Sequence, residues 1–272
     1  MTVIGCVLIV VGIVLFVLRA SARKKFLALA STETFTASAL QSLYERVSKD
    51  LGKGAFRHPV EVTGRIECDA PLTADISKEK CVAFSSEVDW EYEETVYEEN
   101  PQTRQQVAKT RRSTETISRN SRSTPFRVKD QTGGIQVDPE GAEIEMQQVV
   151  DRLEPDTRAQ FQQGSLTLGG RSWSLLPSFQ QIPQGRRTLG FRYRERIHPL
   201  NRPVFVLGMA TDAQGEVMIA RPVQSGASFL VSSKCEEELT AGARSGIRNF
   251  TIGGSVCFAL GAALVLAGLV FH

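Results

Sequence analysis

Two stretches at opposite ends of the chain decide most of what it can become. Thr2 to Leu18 (TVIGCVLIVVGIVLFVL) and Phe250 to Phe271 (FTIGGSVCFALGAALVLAGLVF) contain no charged residue. At about 1.5 Å of helical rise per residue the first run reaches roughly 25 Å, near the lower limit for a bilayer core; the second is a few residues longer. Between them lie about 220 residues of mixed polarity, enough for one sizeable folded unit or two small ones. A weakly negative mean hydropathy is therefore the average of a water-compatible middle and two apolar ends.

A cleaved signal peptide is the alternative reading of the first run, because Ala20 to Ala22 (ASA) resembles a cleavage site. The segment before the run has no Lys or Arg, and Arg19 interrupts the approach to that site, so a retained anchor is favoured. Val3 to Cys6 (VIGC) resembles a lipoprotein box but precedes the apolar run instead of following it. Arg19, Arg23, Lys24 and Lys25 flank the first run, and Arg244 and Arg248 the second, all on the side of the middle region. The positive-inside rule then predicts a two-span protein with a cytoplasmic middle domain and both termini across the membrane.

Glycines recur at seven-residue spacing, Gly5 and Gly12 in the first span and Gly254, Gly261 and Gly268 in the second; Ala259, Ala263 and Ala267 add a stripe four apart. Small residues let helices approach in lipid, within one chain or between copies in a homo-oligomer. Glycine is also simply frequent in membrane helices. The five cysteines include no CxxC, and Cys6 and Cys257 lie in the spans. That pattern suits buried thiols in a reducing compartment better than a zinc site or a disulfide framework.

The expected organisation is a transmembrane helix over 2–18, a juxtamembrane helical segment over 19–52, a β-rich domain over 56–231 with a sub-boundary near 153–170, a juxtamembrane helix over 232–249, and a second transmembrane helix over 250–271. Leu40, Leu43, Tyr44, Val47 and Leu51 fall on one helical face before Gly52 and Gly54; Ser233 and Glu236 have capping-box spacing. In the middle, short alternating runs punctuated by Gly, Pro, Asn and Asp predict an antiparallel barrel or sandwich, so the fold class is mainly β flanked by helices. The segment 154–170 reads either as a helix or as an inserted hairpin.

Glu87 to Arg112 runs acidic up to Asn100-Pro101 and basic beyond it. Glu87, Asp89, Glu91 and Glu93 alternate with Val88, Trp90 and Tyr92, so one strand face is charged and the other apolar. A type I turn at Asn100-Pro101 would set Glu99 opposite Arg104, Glu94 opposite Lys109 and Glu91 opposite Arg112, and the hairpin neutralises itself. Its tip, over 97–122, is polar enough to protrude as a contact element. Arg192, Arg194 and Arg196 form a basic stripe; it is either a solvated face balanced by acidic neighbours or a contact for lipid headgroups or a partner. A net charge of +2 argues against nucleic acid.

None of the three histidines has a second ligand at metal spacing, and there is no GxSxG, P-loop, GxGxxG or HExxH motif. No catalytic, cofactor or metal residue is therefore assigned. Three stretches together resemble one family: Val60 to Glu94 (VEVTGRIECDAPLTADISKEKCVAFSSEVDWEYEE), Ser123 to Glu145 (STPFRVKDQTGGIQVDPEGAEIE) and Gly190 to Ile219 (GFRYRERIHPLNRPVFVLGMATDAQGEVMI). This is similar to the GIDE, or beside-a-membrane, domain, known from a mitochondrial outer-membrane RING-type E3 ubiquitin ligase. The resemblance implies a β-rich domain between two spans. The ligase's RING finger binds two zinc ions, and this sequence has no Cys/His octet for them, so it resembles a RING-less form expected in bacteria or plastids. The implied role is a membrane-proximal sensing, scaffolding or ligand-binding module whose partners are the bilayer and an unidentified protein or small ligand. Ubiquitin-ligase activity or an organelle-organising role is the alternative.

Overall fold

The computed structural model describes residues 2–99, 104–155, 160–162, 164–168, 171–179, 185–213, 215–224 and 227–270. In chain order the first elements are α1 (Thr2–Ser31), α2 (Ala37–Leu51), β1 (Arg57–Glu67), β2 (Leu72–Thr73), β3 (Lys80–Glu99), β4 (Gln106–Ser123), β5 (Phe126–Lys129), β6 (Gly134–Val137) and β7 (Glu143–Ile144). There follow β8 (Gln147–Glu154), β9 (Gln160–Gln162), β10 (Ser165–Leu168), β11 (Arg171–Ser174), β12 (Arg186–Pro199), β13 (Pro203–Thr211), β14 (Met218–Ala220), β15 (Leu230–Ser232) and α3 (Glu236–Val270). They form two compact units: Met1–Glu67, Phe126–Glu143 and Asn201–His272 make the first, Cys68–Pro125 and Ile144–Leu200 the second. The stretch 153–170 lies inside the second unit.

The first unit is built on a closed sheet. β1 pairs with β13 along one edge and with β5 beyond it, and β5-β6-β14-β13 completes the ring. All these pairings are antiparallel except β6 with β14. Gly64 marks the place where β1 leaves β13 for β5: a Cβ there would stand 2.5 Å from the Lys129 carbonyl oxygen, so only glycine permits the approach. The alternation of Val60, Val62, Gly64 and Ile66 is thus a buried face with one position kept empty. β13 is buried on both faces. Phe205 and Leu207 pack with Leu29 of α1 and Leu230, while Val204 and Val206 point the other way.

Both long helices continue without a break from juxtamembrane segment to apolar end, and each is long and apolar enough to cross a membrane. The segment read as one helix after the first span is two. α1 stops at Ser31, and Thr36 caps α2 by accepting from the Ala39 amide at 3.3 Å. In the link, Phe35 and Glu61 amides exchange backbone bonds with Glu61 and Glu33, which fastens the chain to β1 in place of a helical turn. Leu40 and Tyr44 are buried as expected, whereas Leu51 is exposed. α3 begins at Glu236 with three glutamates in its first turn, where the helix dipole favours anions; Ser233 lies outside the helix and is not its cap.

The second unit is a sheet centred on β3, which pairs with β2, β4 and β12; β12 also pairs with β8. A small sheet, β9-β10-β11, supplies Leu166 and Trp173 to a core with Val88, Trp90, Tyr92, Ile117, Phe191 and Tyr193. Of the segment 154–170, the described residues hold an antiparallel pairing of β9 with β10 and no helix. The apolar face expected for Val88, Trp90 and Tyr92 is the core face; Trp90 stacks on Tyr92 at 4.1 Å and donates to Thr188 Oγ1 at 3.0 Å.

Candidate functional site

The recurring glycines of the spans meet one another. A Cβ on Gly5 would lie 2.8 Å from the Gly261 carbonyl oxygen, and one on Gly261 would lie 2.9 Å from the Gly5 carbonyl oxygen. Seven residues along, a Cβ on Gly12 would stand 3.3 Å from the Gly254 carbonyl oxygen. α1 and α3 are thus antiparallel and approach closely at two levels; at Gly5 and Gly261 the backbones leave no room for a Cβ, while at Gly12 and Gly254 one would fit with at most a small adjustment. Gly268 is half-buried one heptad further along. Ala259 and Ala263 are exposed and stand apart from this seam. Gly253 faces only Leu15 Cδ1, at 3.4 Å. Gly261→Ala should therefore destabilise the helix pair by about 1–3 kcal/mol, while Gly253→Ala is neutral or slightly stabilising. Thermal unfolding of the full chain in detergent tests the contrast; equal midpoints would remove the seam as a packing determinant.

The hairpin of β3 and β4 neutralises itself, in a register two residues away from the expected one. Glu94 faces Arg111 and Glu93 faces Arg112, with nitrogen–oxygen distances of 2.6 and 3.1 Å, and Glu99 faces Gln106. A slip of two preserves the facing of every side chain, which is why the charges still pair. Glu98 reaches Lys109 at 2.6 Å and Arg119 Nε reaches Glu87 at 2.9 Å. The Asn100-Pro101 turn lies outside the described residues. Outward of Tyr92 neither strand carries a buried residue up to the end of the described hairpin.

The three arginines of β12 share one face but not one environment. Arg192 bridges Glu91 and Asp151, both at 2.9 Å. Arg194 pairs with Asp89, a carboxylate only 1% exposed that also accepts from Thr116 Oγ1 at 2.7 Å. Arg196 is exposed and opposite Ser85 and Gln148, with no ion pair among the described residues. On the opposite face, buried Glu195 accepts the Ile76 and Ser77 amides, each at 2.7 Å, and so fixes the β2–β3 loop. His198 is buried and donates from Nδ1 to the Glu145 carbonyl at 2.7 Å; burial holds its imidazole below the ordinary range.

The second unit also contains a polar cavity of about 450 Å³ that no motif announces. Asp75 and Lys78 come from the loop after β2, Asn120 from β4, and Arg171 and Trp173 from β11. Asp75 accepts from Ser86 Oγ and Asn120 Nδ2, each at 2.8 Å, and the Trp173 Nε1 donor is buried without a partner among the described residues. The cavity has donors of both charged and neutral kinds, a single carboxylate already engaged, and one indole edge. Its residues come from three stretches some forty to fifty positions apart in the chain, and no spacing in the sequence links them.

Thiol chemistry has no support nearby. Burial, then the charges of Glu195, Glu79 and Asp75, push the Cys81 thiol up to about 11. Among the described residues, no three of His, Cys, Asp and Glu are grouped as metal ligands.

The family model GIDE, described as E3 Ubiquitin ligase, matches residues 93–267. The chain belongs to the GIDE family. The match runs from the outer part of β3 through the strands of both units and into α3, so it takes in part of the cavity, the arginines of β12 and the second apolar helix of this GIDE protein. No curated protein and no solved structure matches the chain.

Proposed function

We propose that this GIDE protein is a membrane-anchored, non-catalytic module that holds its strand-built units beside the bilayer to bind a small ligand or partner protein. The observation that carries the reading is the glycine seam: two apolar helices, one at each end of the chain, packed in backbone contact so that the strands between them are tethered twice. The polar cavity around Trp173 supports ligand binding, and exposed Arg196 with the outer hairpin is the surface left for contact once Arg192 and Arg194 are engaged internally. In this reading the units face the cytoplasm, as the basic flanks of both spans favour. Cys235, exposed at the start of α3, reports the topology. A membrane-impermeant maleimide should label it in inverted vesicles and not in intact cells; the reverse would place the units outside.

The family's description as E3 Ubiquitin ligase favours a second reading, ubiquitin-protein ligase activity. Incubating the purified full chain with activating enzyme, conjugating enzymes and ubiquitin should leave the chain unmodified. Self-modification that depends on a conjugating enzyme would transfer the assignment to the second reading.

A further inference from the structure

In the first unit, a cavity of about 590 Å³ lies where both spans emerge. Its apolar lining includes Phe229 and Leu230 as well as Leu18 and Phe250, and these last two are the end of the first uncharged run and the start of the second. Above them the wall carries Lys24, Lys25 and Arg221 against a single carboxylate, Glu143. Lys25 is already paired with Glu143 at 2.7 Å. Lys24 and Arg221 are exposed and have no hydrogen-bond or ion-pair partner among the described residues. The Arg221 stem passes over Gly141, where a Cβ would stand 2.8 Å from its Cδ, and φ at Gly141 is +76°. A glycine thus keeps the guanidinium at the rim.

We propose that this cavity seats the phosphate of an anionic phospholipid headgroup. This deepens the anchored reading and rests on it. The depth fits: Leu18 and Lys24 are six residues apart, about 9 Å along α1, against a headgroup layer of roughly 5–7 Å on each side of a bilayer core. The chemistry fits as well. Two unpaired cations face an anion, while the lipid's glycerol and chains continue down the exposed apolar sides of α1 at Val17 and Leu18. A soluble phosphate would use the cations and leave the apolar wall idle, so the lipid is the occupant the cavity matches.

The test uses the purified full chain in detergent, with native mass spectrometry counting retained phosphatidylglycerol against phosphatidylcholine. Phosphatidylglycerol should be retained preferentially, and Lys24→Gln with Arg221→Gln should weaken it roughly 30-fold, the effect of two headgroup-level charges. Glu143→Gln, which frees Lys25, should strengthen retention. Lys109→Gln with Arg111→Gln removes the same net charge from the hairpin and should change nothing. Equal retention by the first double variant, or displacement of the lipid by glycerol 1-phosphate at similar concentration, would overturn the inference. Vesicle-bound chain is also washed with alkaline carbonate. Release there would sink the anchoring itself, whereas carbonate-resistant chain that does not select between the two lipids would sink only the headgroup site.

Discussion

Replacing Arg194 with Met should lower the stability of this GIDE protein by about 3 kcal/mol, although arginine is a surface residue by habit. The reason is its partner. Asp89 is 1% exposed, and loss of the guanidinium leaves a buried carboxylate with Thr116 as its remaining hydrogen-bond donor. Breaking a buried pair by deleting one partner costs about 3–5 kcal/mol, and the low end applies because Arg194 itself is a third exposed. The double variant Asp89→Asn with Arg194→Met removes both charges and should recover most of the loss. Arg196→Met, with no pair to break, should cost less than about 0.5 kcal/mol. Denaturant unfolding of the parent and these three variants reads the contrast. A small effect of Arg194→Met would mean that the guanidinium is free to act at the surface and that the stripe is one contact face after all.

The stability of the first unit should fall as pH rises towards and past neutrality. Glu61 is 1% exposed on β1; its Oε1 accepts from Thr34 Oγ1 at 2.9 Å and its Oε2 has no hydrogen-bond partner among the described residues. Burial, with the charges of Glu236 and Glu237 on α3 added and the Thr34 bond opposing, pushes its carboxyl up to about 7. The folded chain then holds a proton that the unfolded chain has lost. The stabilisation is complete below the ordinary glutamate range and disappears as pH climbs through about 7. At about 1.4 kcal/mol per pH unit of displacement, the whole change is on the order of 3 kcal/mol. Glu61→Gln should flatten this slope, leaving the variant more stable than the parent at pH 8 and close to it at pH 5. His198, whose pKa is lowered by burial, contributes with the opposite sign, losing stability as pH falls below the ordinary imidazole range. Comparing parent with Glu61→Gln at each pH cancels that contribution. Parallel pH profiles for the two proteins would show that Glu61 is ionised in the fold.

The charged hairpin shows where reading a chain stops being enough. That Glu87 to Glu93 and Val88 to Tyr92 point to opposite faces follows from the period of a strand, and it holds for any register differing by two. Which glutamate meets which arginine depends on loop length, and six positions, where the expected register has four, separate Glu99 from its partner Gln106. Likewise the seven-residue glycine spacing marks a helix face from local periodicity, and lipid leaves that face few other uses; that Gly5 meets Gly261 and Gly12 meets Gly254 is a property of the pair of helices.

Local covalent rules and hydropathy thus determined the two spans, the strand-built middle and the side of each strand that is buried, because each depends on neighbours a few residues away. Only the tertiary structure decided that two of three alternating arginines are spent on acidic partners, that Glu61 is enclosed near the start of α3, and that Trp173 shares a cavity with Lys78. Those facts depend on which distant segments close a barrel or cover a sheet. Desolvation and ion pairing act over a few ångströms of space, and distance along the chain carries almost no record of them.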